Sequence, residues 1–261
     1  TGASTPEASF STTTSKTLHF GTAAAGLGAG TVTNTGTVSA NKLTFGSASG
    51  AIALSGGTIT LGGTTPTIAV SNATDTIRSI LTGSDGIIKA GSGTLVLTNI
   101  NTYTGDTTIN ASGGTLHVGG AGQLGSGTYA GAISIGSSAT LNYGSSANQT
   151  LSGVISGDGA LTMAGSGALT LTEANTYSGV TTISDGTLLV SGSLAAGSTV
   201  TVGNGGTLVG AGTVNGAVAV QSGGTNAPGT PTGVPTVGGS VPFLSRSPLA
   251  REIDDGQTPQ T

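Results

Sequence analysis

A block near the middle of the chain occurs twice. Residues 90–110 read AGSGTLVLTNINTYTGDTTIN and residues 164–184 read AGSGALTLTEANTYSGVTTIS, 74 positions apart with no gap. The segment GTLHV at 114–118 then returns as GTLLV at 186–190, an offset of 72. Lead-ins at 81–93 and 155–167 match as well, so the repeat units run over 81–120 and 155–192. Such self-similarity is the mark of an architecture built by stacking one small unit.

Within each copy the period is two. Leu95 and Leu97 return as Leu169 and Leu171, whereas Val96 between them becomes Thr170. The constant positions read as inward and the variable ones as outward. The same reasoning sets Ile109, Leu116, Val118, Ile183, Leu188 and Val190 inward and His117 outward. Strands of four to five residues are expected, separated by Gly-Ser, Gly-Gly, Asn-Gly and Asp-Gly turns. Inward residues recur about every 20 positions, from Leu95 to Leu116, Leu169 to Leu188 and Leu188 to Leu208. That spacing suits one coil of a solenoid better than the hairpins of a barrel or sandwich.

Composition agrees. Of 261 residues, 49 are Gly, 47 Thr and 31 Ser, and charged residues make up 6%. A helical protein is excluded, since Gly is unfavourable in helices and strong helix formers are scarce. The chain has no Cys, so no disulfide framework exists. Only eight Phe and Tyr occur, four of each, which fits a thin interior better than a globular sandwich. The expected fold is an all-β, right-handed parallel β-solenoid (β-helix) of roughly 10–12 coils; twelve coils at about 4.8 Å make a rod of about 55–60 Å.

The run GSGTLVLTNINTYTGDTTIN…GGTLHVG and its second copy resemble the autotransporter-associated β-strand repeat, also called the passenger-associated transport repeat. The resemblance covers about residues 40–230. It implies a secreted β-solenoid at or outside the surface of a Gram-negative-type bacterium, and it implies no catalytic residues. The membrane-spanning barrel that ends an intact autotransporter has no counterpart here. Thr1 in place of Met, and the lack of a charged-then-apolar leader, suggest a mature, processed chain or an excised fragment; without the barrel, a passenger fragment or a free-standing protein that borrows the repeat is expected.

The ends differ in character. Residues 1–16 read as a flexible or capping segment, and 17–225 as the solenoid. Residues 226–261 read as a Pro-rich break followed by a charged tail. Five of the last 19 residues are charged, against 11 of the preceding 242. This tail is either loose or a docking arm with Phe243, Leu244, Leu249, Arg251 and Ile253 as its contacts.

Little in the sequence points to chemistry. Asp75, Asp85, Asp106, Asp158, Glu173 and Asp185 are thinly spread, and acid/base catalysis needs clustered groups. His19 and His117 are the sole histidines, and no G-x-S-x-G elbow occurs. GAGQLG at 120–125 has no strand–helix context for a dinucleotide. The calcium-binding nonapeptide of β-rolls is absent. No metal, cofactor or enzymatic activity is expected. A pI of 4.8 with six Lys plus Arg argues against nucleic acid, and the absence of any long apolar run argues against membrane insertion. Asn72, Asn110 and Asn148 stand in N-x-[ST] sequons, which arise by chance in so Ser/Thr-rich a chain. Tyr103 and Tyr177 occupy the same turn of the two copies, either as a sugar-binding platform or as rings covering a coil corner.

Two functions follow. Open coil ends and sparse charge favour head-to-tail stacking with other copies of the chain into a filament, sheath or stalk. The alternative is an adhesin passenger module that contacts cells or glycans through outward Thr, Ser and Tyr.

Overall fold

The computed structural model describes residues 13–21, 27–227 and 236–239. Every strand pairing in it is parallel, and the strands stack as a β-solenoid. One sheet holds ten strands, which counts ten coils.

The coil has three sides. Side 1 carries seven strands from Thr17–Phe20 to Ile155–Gly157. It continues into Ala174–Asn175 through Thr176 N–H to Ile155 O at 2.8 Å and Ser178 N–H to Gly157 O at 2.8 Å. Side 2 is the ten-stranded sheet, from Gly30–Thr33 to Val218–Val220. Side 3 begins at Thr37–Ala40 and ends at Thr225–Asn226, bridged midway by Ile100 paired with Gln123. Beyond residue 225 the ladder gains one more row on side 1, Thr236–Val237 beside Thr213–Val214.

Alternation builds the core. Strand after strand shows a half-buried, buried, half-buried, buried pattern, as in Thr94–Leu97, Ala168–Leu171 and Lys42–Phe45. All ten inward residues inferred from the repeat are at most 1% exposed. The spacing of about 20 is the pairing register: Leu95 lies beside Leu116, Leu169 beside Leu188, and Leu188 beside Leu208. Parallel stacking at about 4.8 Å then buries each inward row on both edges.

The two repeats do not occupy the same sides. Strands Ile87–Ala90, Thr94–Leu97 and Thr115–Gly120 lie on sides 1, 2 and 2. Their counterparts Ala160–Met163, Ala168–Leu171 and Gly186–Val190 lie on sides 2, 3 and 3. From residue 87 the chain returns to side 1 at 107, 133 and 155 before entering side 2 at 160. An offset of 74 is therefore three coils plus one side.

Candidate binding surface

The shared motif N-T-Y-x-G-x-T-T is structural, and it faces inward. Asn101 is fully buried. Its Oδ1 accepts the Leu81 N–H of the preceding coil at 3.0 Å. Its Nδ2 donates to Asn99 O at 2.8 Å and to Gln123 O of the following coil at 3.2 Å. Asn175 repeats this with Ile155 N–H at 2.8 Å, Glu173 O at 2.8 Å and Ser193 O at 3.3 Å. One side chain thus fastens three successive coils. Neither asparagine stood out in the sequence as more than part of a turn.

Tyr103 and Tyr177 are 1% and 0% exposed, so neither can be a platform for a ligand. Each hydroxyl meets the buried threonine four residues on, Thr107 at 2.9 Å and Thr181 at 2.6 Å. Burial pushes both phenols upward. Thr107 also bonds Tyr129 Oη at 2.8 Å, and Tyr129 donates in turn to Gly105 O. The Tyr103 and Tyr129 rings meet edge to face at 5.4 Å. The motif's Gly permits a close backbone approach. A Cβ on Gly105 would lie 2.3 Å from Gly86 N, and one on Gly179 would lie 2.1 Å from Gly159 O.

The carboxylates serve turns and ladders. Asp85 accepts from Gly63 N–H, Asp106 from Ala132 N–H, Asp158 from the Ser178 hydroxyl and Asp185 from Gly186 N–H, at 2.8–3.0 Å. Asp75 is fully buried and apart from the others. Among the described residues, no three His, Asp or Glu side chains gather as a metal site would require. His19 is exposed and His117 half-buried. The His117 ring lies against bare backbone, since a Cβ on Gly119 or Gly144 would sit 2.5 or 2.7 Å from its ring atoms. Burial holds its pKa below the usual value.

Chemistry toward a partner is left to the outer faces. On side 2 one outward row runs in register through Thr31, Ala53, Thr76, Val96, His117, Asn142, Thr162, Thr182, Thr201 and Ala219. Beside it Thr74, Thr94, Thr115 and Thr140 form an unbroken run over four coils. These are nearly uncharged ladders of hydroxyl and methyl groups with a rise of about 4.8 Å.

The regular stack is interrupted between Gly119 and Thr128. Gly125, Ser126 and Gly127 take φ of 54°, 57° and 93°, three left-handed residues in succession. Next to them is a half-open recess of about 170 Å³, lined by exposed Thr102, Thr104, Ser126 and Thr128 and by buried Tyr103 and Tyr129. It is smaller than the roughly 300–1,000 Å³ of a drug-sized ligand site.

Comparison with known proteins settles the repeat. Residues 87–118 and 161–190 match the family model of the passenger-associated-transport-repeat. Two segments of the chain are thus similar to that repeat. Both matches span strands whose counterparts sit one side apart on the solenoid. The chain is also 36% identical over 179 residues to the adhesin BmaC autotransporter of Brucella suis biovar 1 (strain 1330). That alignment covers 63% of this chain and 5% of the relative, so the chain spans about a twentieth of that protein. No solved structure matches the chain. The docking residues Phe243, Leu244, Leu249, Arg251 and Ile253 lie outside the described residues.

Proposed function

We propose that this chain is a rod-like passenger module of a bacterial surface adhesin, non-enzymatic, which contacts cells or glycans through its outer hydroxyl ladders. The relationship to an autotransporter adhesin over 179 residues supports this reading most strongly. The site chemistry agrees with it. Inward polar groups are spent on holding coils together, while the outer rows offer hydroxyls and few charges. The recess beside Ser126 is the candidate focal point, because there the exposed hydroxyls of Thr102, Thr104, Ser126 and Thr128 converge on a concave surface.

The test is adherence. Beads coated with the purified chain are applied to epithelial cells and to immobilised glycans. Binding above that of bare beads, reduced by Thr104→Arg and Thr128→Arg, supports the reading. Coated beads that adhere no better than bare ones overturn it.

A second reading is head-to-tail assembly, which one observation favours. Val32 is in register with buried Leu54, yet it is 42% exposed, and Leu27 nearby is 45% exposed. A second copy seated there would cover these two apolar side chains. Negative-stain microscopy decides this. Fibres with an axial repeat near 48 Å, ten coils at about 4.8 Å, support stacking, and isolated short rods refute it.

A further inference from the structure

The offset of 74 also joins two pairs of interior residues whose chemistry differs. Asp75 stands where the later segment has Gln149, and Lys89 where it has Met163. Exposure at all four is at most 2%. Each repeat is therefore an internal control for the other.

Gln149 is self-sufficient. Its Oε1 accepts from Leu124 N–H at 2.8 Å, and its Nε2 donates to Leu124 O at 3.0 Å and Thr150 O at 2.9 Å. Asp75 reproduces half of that. Its Oδ1 accepts from Ile52 N–H of the preceding coil at 2.7 Å and from Asn72 Nδ2 at 3.0 Å. Its Oδ2 is buried with no partner, and so is Asn72 Oδ1. An ionised Asp75 would leave a charge in an apolar interior with one oxygen unpaired, which is costly.

Among the described residues, no cation offsets that charge. Ile52–Ser55 and Thr94–Leu97 flank the strand of Asp75, and Thr67–Val70, Thr58–Leu61, Ile80–Thr82, Lys42–Phe45 and Ile87–Ala90 lie in the other two sheets of these coils. The first five carry no titratable side chain. Lys42 occupies an outward position of its strand, alternating with buried Leu43 and Phe45. Lys89 points inward, but its Nζ donates to Ala90 O at 2.9 Å, Gly91 O at 2.8 Å and Gly113 O at 2.6 Å. Arg78, just past the end of Asp75's own strand, is exposed.

We propose that Asp75 is a one-proton switch just ahead of the first repeat, a neutral acid that substitutes for the amide of Gln149 and loosens the surrounding coils when it ionises. Protonated, the carboxyl keeps its acceptor for Ile52 N–H and gains an O–H donor, as the amide has. Ionisation releases one proton to solvent and leaves a bare buried carboxylate. Burial raises the Asp75 pKa, and the bonds from Asn72 and Ile52 offset part of that rise. A raised native pKa means stability is fully present below the unfolded-state value and is lost as pH climbs through the native one. The module would then be tightest in acid surroundings. This does not depend on the adhesin reading.

The experiment uses the full chain and Asp75→Asn, which supplies Gln149's donor and acceptor permanently. Amide exchange at Arg78 and Thr94, which bond Leu54 O and Ala73 O across the adjoining coils, is corrected for intrinsic rates and followed between about pH 4 and pH 7. In the parent, exchange should accelerate about tenfold or more relative to the variant as Asp75 ionises. An infrared titration of the parent provides a readout that needs no variant. One protonated carboxyl band should persist after the exposed carboxylates have ionised. Parallel exchange profiles, or a band that vanishes together with the ordinary carboxylates, overturns the proposal.

Discussion

Replacing Asn101 by Leu tests the claim that the repeat's asparagine joins coils. Leucine keeps the branched shape, at a somewhat larger volume, and removes every polar contact of the side chain. Of the three groups that Asn101 touches, two retain partners. Asn99 O still accepts from Gln123 N–H at 3.1 Å, and Gln123 O from Asn101 N–H at 2.8 Å. The Leu81 N–H is left without its acceptor inside the core. One orphaned buried donor costs about 1–3 kcal/mol, and two weakened carbonyl bonds add about 1 kcal/mol together. The expected loss is therefore about 2–4 kcal/mol, read from denaturant midpoints followed by far-ultraviolet circular dichroism. Asn101→Asp is the sharper control. It keeps the Leu81 acceptor but directs a carboxylate at two carbonyls, so its stability should recover as the pH falls and the group is protonated. Amide exchange at Leu81 locates the effect. Asn101→Leu within about 0.5 kcal/mol of the parent, or unchanged Leu81 exchange, would refute the reasoning. Asn175→Leu should lose a similar amount, with Ile155 as its reporter.

Two further outcomes follow from the packing. Gly179→Ala places a Cβ 2.1 Å from Gly159 O, whereas Gly203→Ala meets nothing nearer than 3.4 Å. Thermal melting should show the first destabilised by about 2 kcal/mol or more and the second within about 1 kcal/mol of the parent. Burial pushes Lys89 down to about 8 from 10.5. Its native form sheds a proton before the unfolded form does, so stability should rise with pH between those values. Lys89→Met, the second repeat's own choice, should abolish that rise in a series of denaturation curves.

Much of this was legible from a parity argument. Of the odd positions from 95 to 109, all are buried except 99 and 105, which are half-buried. From 169 to 183 the exceptions are exposed 173 and half-buried 179. Alternation therefore resumes in N-T-Y after one break, and carrying it two and three steps past Leu97 would have placed Asn101 and Tyr103 inside, along with Asn99, which is half-buried. Residue type concealed them, because asparagine and tyrosine beside a Gly suggest a surface turn. The physical reason they can be interior is that a parallel stack offers backbone groups above and below each coil. A short amide can bond both neighbours there, and a phenol can reach a threonine four residues on.

The one-side step between the repeats was not legible, and its cause bears on function. Inward alternation is identical on all three sides, so no hydrophobic pattern tells one side from another. The step depends on corner lengths, which vary: Leu95 pairs with Leu116, a spacing of 21, but Leu116 pairs with Leu141, a spacing of 25. A unit that fits equally on two sides must satisfy its bonds from within its own coil and the two adjacent ones, as Asn101 and Asn175 do. What the unit specifies is thus cohesion between coils, whichever side it faces. Differences that matter to a partner must come from residues the repeat leaves free. Those are the outward positions, where Val96 becomes Thr170 and Asp106 becomes Val180, and the insertion around Ser126 that has no counterpart in the second copy.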